Sequence, residues 1–402
     1  MEHLPRATSP AFPLPFAALY VAATVVFSDM YLTQPILPLL SAEFGVPPPT
    51  AGLSVSAVVL LIALTSAAYG PLSDRLGRKP VMVASCAVLA LPTLLCALAP
   101  SFAALLLCRA LQGLCIPGLT AVAVAYIGDL VGPAGFGRAV GGWIAANVAG
   151  GLLGRIASGV ITDLVGWRTV FLVFAALTLL SAALLALALP RDPVGDRGGW
   201  GQAYRAMLAH LGDRRLRLAF LIGGALFFGF VGVFTYLPYY LIGPPFRLSP
   251  ALVAFAYVSY LAGVIVSPLA GHLSARRSRR ALIALGLLVA TFGVGLTLIP
   301  WTPLVVVGLF VLCTGMFTAQ GVAPALVNSL ARQAKGGAGA LYLVSYYLGG
   351  TLGGVLPGVA WQHAGWGGVV GVCVGAFGVA LLATWRIGRE EHLRDHLPGR
   401  SP

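Results

Sequence analysis

Acidic residues are scarce in this sequence. Only twelve Asp and Glu occur in 402 residues, and none lies between Asp213 and Glu390. Charged residues of both signs together make up 9% of the chain, against about 25% in an ordinary soluble domain. A water-facing fold of this length is therefore excluded. Cysteine gives no framework either. Cys86, Cys96, Cys108, Cys115, Cys313 and Cys373 have no C-x-x-C partner and all fall in apolar stretches, so they read as small packing residues, not disulfides or metal ligands. There is no Gly-x-x-x-x-Gly-Lys-Ser/Thr loop, no metal-ligand spacing and no Ser/His/Asp arrangement in a soluble segment. These absences argue against an ATP-driven pump and against an enzyme, and no cofactor or metal is expected.

What is present is apolar length. A spanning helix needs roughly 20 apolar residues. Twelve such stretches occur, near 16–40, 51–69, 81–98, 102–127, 139–164, 167–189, 218–242, 249–273, 281–299, 303–329, 338–363 and 367–387. The first is read as a retained span, since Glu2 and four prolines flank it and eleven more spans follow. The expected fold is an all-α membrane protein of twelve transmembrane helices in two six-helix bundles.

The net charge of +13 invites a nucleic-acid reading, but its distribution opposes one. With the N-terminus inside, 21 of the 25 Lys and Arg fall in cytoplasmic segments, Arg168 and Arg247 fall outside, and Arg109 and Arg155 fall within spans. This is the positive-inside bias. It matches anionic lipid headgroups and places both termini in the cytoplasm. Trp167, Trp301 and Trp366, at outer helix ends, read as interfacial anchors.

The expected division is an N-terminal tail (1–15), a first bundle (16–189), a cytoplasmic linker (190–217), a second bundle (218–387) and a C-terminal tail (388–402). In the linker, Trp200, Tyr204, Met207, Leu208 and Leu211 follow helical spacing. This suggests an amphipathic surface helix, with a plain polar linker as the alternative. The bundles repeat. Gly150, Gly151, Gly154, Gly159, Gly166 and Trp167 recur as Gly349, Gly350, Gly353, Gly358, Gly365 and Trp366. Gly150, Gly154, Gly159, Gly349, Gly353 and Gly358 are expected to let helices 5 and 11 pack closely against the other half.

Residues 70–80 read Gly-Pro-Leu-Ser-Asp-Arg-Leu-Gly-Arg-Lys-Pro, between the second and third spans. Gly70, Asp74, Arg75, Gly77, Arg78 and Lys79 in this order resemble the signature of the major facilitator superfamily. Arg109-Ala-Leu-Gln112-Gly113 looks like the Arg-x-x-Gln-Gly motif of its proton-coupled members. The stretch Gly150–Gly159 lies where drug/proton antiporters carry a Gly-Pro-rich motif, but Arg155 stands where Pro is usual. Tyr31-Leu-Thr-Gln34-Pro35, with Gly-Arg in helix 5 and Tyr346-Tyr347 in helix 11, looks closer to YnfM-like and arabinose-efflux-like permeases. The resemblance implies a bacterial inner-membrane transporter working by alternating access, with residues 70–79 as a cytoplasmic gate.

An ionisable group inside a span is a functional candidate. Asp29 is the one carboxylate deep in any span. At about 1.5 Å of rise per residue, Asp29, Arg109 and Arg155 share one layer, and a pair of Asp29 with Arg109 or Arg155 is expected. These three form the candidate proton-coupling set, with a static ion pair as the alternative. Gln34, Gln112, Asn147, Tyr236, Gln320, Asn328, Tyr346 and Tyr347 are candidates for the cavity wall, or else for interhelical hydrogen bonds. The expectation is a monomeric transporter driven by the proton gradient that exports a small organic molecule in exchange for protons. A uniporter or proton symporter importing a nutrient, and a non-transporting membrane receptor, stay open.

Overall fold

The computed structural model of the protein describes residues 14–190, 205, 207–331, 333 and 335–395. Trp200 and Tyr204 of the proposed surface helix lie outside them. The described part of that segment is a short helical turn, the 3-10 turn His210–Gly212, and Asp213, which caps the next helix by accepting from Arg215 N at 2.8 Å.

The helices are α1 (Leu14–Phe44), α2 (Pro48–Leu76), α3 (Arg78–Ala97), α4 (Phe102–Val131), α5 (Gly135–Val165) and α6 (Trp167–Ala188) in the first half. The second half holds α7 (Arg214–Ile242), α8 (Pro250–Leu273), α9 (Arg279–Leu296), α10 (Thr302–Leu330), α11 (Lys335–Gly353) and α12 (Leu356–Asp395). Among the described residues, eleven helices are long and apolar enough to cross a membrane. Leu356–Asp395 is two helices that meet at Ala364 and Gly365, where the backbone leaves helical φ/ψ, so the eleventh stretch read from the sequence runs through α11, a turn at Gly354 and Val355, and the first turns of α12 up to that corner. α12 also continues past the apolar stretch to Asp395.

Local chemistry sets the ends. Ser101, Ser249 and Ser278 accept main-chain N–H bonds at the starts of α4, α8 and α9, as N-caps do. Gly166 (φ +92°) and Gly365 (φ +53°) make the corners before Trp167 and Trp366, a conformation that favours glycine. The internal repeat is thus realised as the same turn in each half. Large apolar side chains such as Leu187 and Ile265 face outward, as a hydrocarbon surround requires.

Within the halves α1 packs on α5 and α6, and α7 packs on α11 and α12; between them, α5 meets α8 and α2 meets α11. The repeat glycines refine the expectation of cross-half packing. A side chain at Gly150 or Gly154 would strike Thr24 or Ser28 of α1. One at Gly349 or Gly353 would strike the backbone of α7 at Gly224 or Phe228. Gly358 abuts the Tyr236 hydroxyl, also of α7. These five glycines close each half on itself. Of the set, Gly159 crosses the seam, against Pro250 and Ala254 of α8. The expected anchoring role of two tryptophans is also corrected. Trp167 and Trp366 are buried, donating to Glu43 at 2.5 Å and to Thr297 Oγ1 at 2.9 Å, while Trp301 is exposed.

Call the end carrying residues 70–80 the motif end. At the opposite end the halves are bonded together. Gln34 Nε2 donates to Thr235 at 2.9 Å, the Ser41 and Tyr239 hydroxyls lie 2.5 Å apart, Tyr239 donates to Leu37 O at 3.1 Å, and Ser56 donates to Thr351 O at 2.7 Å. Toward the motif end α2 is loosely packed: no residue from Leu64 to Leu72 is buried.

Candidate functional site

The site begins where α1 breaks. Its α-helical part stops at Tyr31, and a 3-10 turn, Gln34–Ile36, follows with Pro35 inside it. Proline supplies no N–H, and the last carbonyls of a helix need partners from elsewhere. Arg109 of α4 supplies them. Its Nη1 donates to Asp29 O at 2.7 Å and Nη2 to Met30 O at 2.6 Å. Its Nε reaches Ser54 O at 3.0 Å, and Nη1 also meets Gln112 Oε1 at 2.7 Å. Gln112 in turn donates to Thr93 at 2.7 Å. Leu32 O is taken by Ser158 of α5 at 2.6 Å. Desolvating a guanidinium costs several kcal/mol. Hydrogen bonds to a charged group return roughly 1.5–3 kcal/mol each, so four of them hold the charge in place.

The Asp29 side chain turns elsewhere. It is fully buried and is the only buried carboxylate among the described residues. Its Oδ2 accepts from Thr178 of α6 at 2.7 Å, and its Oδ1 has no partner. The expected pairing of Asp29 with Arg109 or Arg155 does not form as a bonded ion pair. Among the described residues the ion pairs are Arg78 with Asp74 and Asp129, and Arg168 with Glu43. The reason lies in the break: the orphan carbonyls of α1 have taken the Arg109 donors. Asp29 and Arg109 remain electrostatic neighbours.

Arg155 lies apart from that pair, on the seam between halves. It is 1% exposed. Its Nε donates to Gln34 Oε1 at 2.7 Å, and Nη1 donates to Gly151 O. The guanidinium carbon is 3.9 Å from the ring centre of Tyr31, 4.9 Å from Tyr260 and 5.2 Å from Tyr257. Tyr31 belongs to the first half and the other two to α8. Cation–π contact is worth about 2 kcal/mol when desolvated, less than the cost of burying the charge. The Tyr257 hydroxyl donates to Phe234 O at 2.9 Å, whereas the Tyr260 hydroxyl is buried without a partner.

The remaining candidates separate into three groups. Gln34 and Gln112 bind the two arginines. Tyr236 is buried and donates to Gly354 O at 2.7 Å, a helix contact and not a cavity wall. Asn147, in the amide orientation that satisfies both atoms, bonds to Trp143 on its own helix. Gln320 is half-buried and Asn328 exposed; Tyr346 and Tyr347 are half-buried, with Tyr346 stacked 4.0 Å from Phe227. At the motif end, Gly77 (φ +90°) makes the α2–α3 turn. Arg78 bonds to Asp129, donates to Ala125 O at 2.8 Å and lies 3.6 Å from Asp74. Lys79 donates to Leu189 O. Gly70 has open space beside it, so its use is not close packing here. Sequence reasoning missed Thr93, Thr178, Thr235 and the tyrosine pair Tyr257 and Tyr260. Only the last carried a signal: two aromatics three apart on one helix face.

A twelve-helix membrane fold of two repeated bundles, with charges buried at its centre and a seam bonded at one end, defines an integral membrane transporter. The chain belongs to the Major Facilitator Superfamily, whose family profile matches residues 19–354 and again 246–402. It is 35% identical to the inner membrane transport protein YnfM of Escherichia coli strain K12 over 388 residues, covering 96% of this chain and 93% of that one. It is 30% identical to the MFS-type transporter YybF of Bacillus subtilis strain 168, covering 97% of each. In fold it is similar to a bacterial homolog of the human lysosomal transporter Spinster (TM-score 0.75, 18% identity, 96% of this chain and 98% of that). It is likewise similar to a mutant of the nucleoside transporter NupG (TM-score 0.77, 15% identity, 93% and 99%).

Proposed function

We propose that the protein is a proton-coupled exporter of a small organic molecule, a monomer in the bacterial inner membrane, with Asp29 as the proton carrier. One observation supports this above the rest: Asp29 is a fully buried carboxylate with one oxygen bonded and the other unpartnered. A lone carboxylate there is costly as a charge, and its free oxygen is a place for a proton. The motif end, where the basic residues collect, is taken as cytoplasmic. The halves are then bonded on the outer side, and α2 is loosely packed toward the cytoplasm.

The coupling is local. Arg109 grips the main chain of Asp29 and Met30, just before the break in α1. The Asp29 carboxylate belongs to the same residue whose main-chain carbonyl Arg109 holds, so its charge would offset that of the guanidinium. A proton on Asp29 removes that balance and changes how firmly the break is held. The segment beyond it, Gln34 to Phe44, makes three of the bonds that close the outer seam. Proton occupancy and conformation are linked in this way. The halves would rock about the seam.

The test is proton movement in energised inverted vesicles bearing a pH-sensitive dye, with a panel of sugars, amino acids, organic acids and drugs. Substrate-driven proton release from wild type, absent in Asp29→Asn, is the expected result. Proton flux of the opposite sign would make the protein a symporter. Unchanged pH-dependent transport in Asp29→Asn would remove Asp29 from the mechanism.

A further inference from the structure

Among the described residues no carboxylate is paired with Arg155. The buried acid, Asp29, is bonded to Thr178 of α6. Glu43 is held by Trp167 and Arg168, and Asp74 and Asp129 are held by Arg78. Asp163 is on the same helix, about 12 Å along it, and exposed. The second half has no acid from 214 to 389. The spans of that half therefore have no carboxylate to offer Arg155.

The surroundings point the same way. Tyr31 from one half and Tyr257 and Tyr260 from the other enclose the guanidinium. The Tyr260 hydroxyl is an unpartnered buried donor beside it. A planar carboxylate can accept two N–H bonds from a guanidinium and one from a phenol, and the rings suit an apolar or aromatic body. The bond from Arg155 Nε to Gln34 Oε1 occupies part of that fork, and Gln34 is also the residue bonded across the seam to Thr235. A ligand that takes the fork displaces Gln34 and so reaches the seam directly.

We infer that Arg155, with Tyr260, is the binding site for the carboxylate of an organic acid, and that the transported molecule is an organic anion with an apolar body. This rests on the reading of the protein as a transporter but not on proton coupling.

The experiment uses purified full-length protein in detergent, with no gradient, and isothermal titration with matched pairs: benzoate and benzamide, phenylacetate and phenylacetamide, succinate and succinamide. Chloride and inorganic phosphate are added as competitors. The expected result is that at least one acid binds about tenfold more tightly than its amide. That preference collapses in Arg155→Gln and is partly kept in Arg155→Lys, whose charge lacks the planar fork. Tyr260→Phe, which keeps the ring and removes only the hydroxyl, weakens the acid by roughly three- to tenfold and leaves the amide unchanged; it decides the matter if Arg155→Gln does not fold. Equal or absent binding of all the acids, or a preference that survives Arg155→Gln, overturns the inference. So does full competition by chloride or phosphate at equal concentration, which would mark an inorganic anion site. Because the titration needs no proton flux, a failed vesicle assay and a failed titration point to different errors.

Discussion

The two halves share one helix plan and differ in what holds them together. In the first half α4 is tied to α1, α2 and α3 through Arg109 and Gln112. In the second half the corresponding contact, α9 on α10, is made by glycine. A side chain at Gly286, Gly293, Gly308 or Gly315 would strike backbone of the facing helix. Gly154 and Arg155 of α5 correspond to Gly353 and Gly354 of the second half, and at Gly354 the main chain lies against Gly52 and Ser56. Every charged residue buried among the described ones, Arg78, Asp29, Arg109 and Arg155, belongs to the first half. The second half contributes close backbone packing and aromatic rings. One half therefore buries the charges, and the other packs backbone and rings against them.

The largest effect should come from cutting the polar tie. Arg109→Ala leaves the carbonyls of Asp29, Met30 and Ser54 without their side-chain donor and Gln112 Oε1 without the arginine. It should cost about 1–3 kcal/mol for each buried acceptor left unpaired, read as a large fall in thermal unfolding temperature together with loss of transport. The matching test in the second half is Gly349→Val, which forces a side chain onto the Gly224 backbone. Overpacking of this kind costs about 1–3 kcal/mol. The same assay should show a clear but smaller fall. A loss from Gly349→Val equal to or above that from Arg109→Ala would break the contrast between the halves.

Next in size is the seam. Thr235→Val removes the acceptor of the Gln34 bond and should shift the balance between closed and open outer ends by about 1 kcal/mol. That amounts to roughly fivefold in population, measurable as faster labelling of a cysteine introduced near Ser41. The smallest effect belongs to the exposed pair of Arg168 and Glu43. Arg168→Gln should change stability by less than about 1 kcal/mol, within a few degrees of unfolding temperature, and leave transport unaltered.

Much of the site's membership could be read from the chain. Asp29, Arg109 and Arg155 are conspicuous because charge in a span is expensive, and all three are fully or almost fully buried. Their partners were not readable. Arg109 was expected to meet a carboxylate and meets peptide carbonyls, because Pro35 breaks α1 beside it and frees those acceptors. Asp29 meets Thr178, a residue with no motif, since a hydroxyl in an apolar span looks the same whether it bonds its own helix or another.

By itself the sequence determined the membrane fold, the two repeated halves, the motif turn at Gly77 and the three charges placed inside. Apolar length, an exact 199-residue recurrence of glycines and the scarcity of charge are each local or periodic signals. The tertiary structure alone decided which groups those charges face: Arg109 the broken end of α1, Asp29 the interior of the first half, and Arg155 the tyrosines on both sides of the seam. Such choices depend on the rotation of each helix about its axis and on contacts more than 100 residues apart, such as Arg155 with Gln34 and Asp29 with Thr178. No periodicity along the chain encodes them.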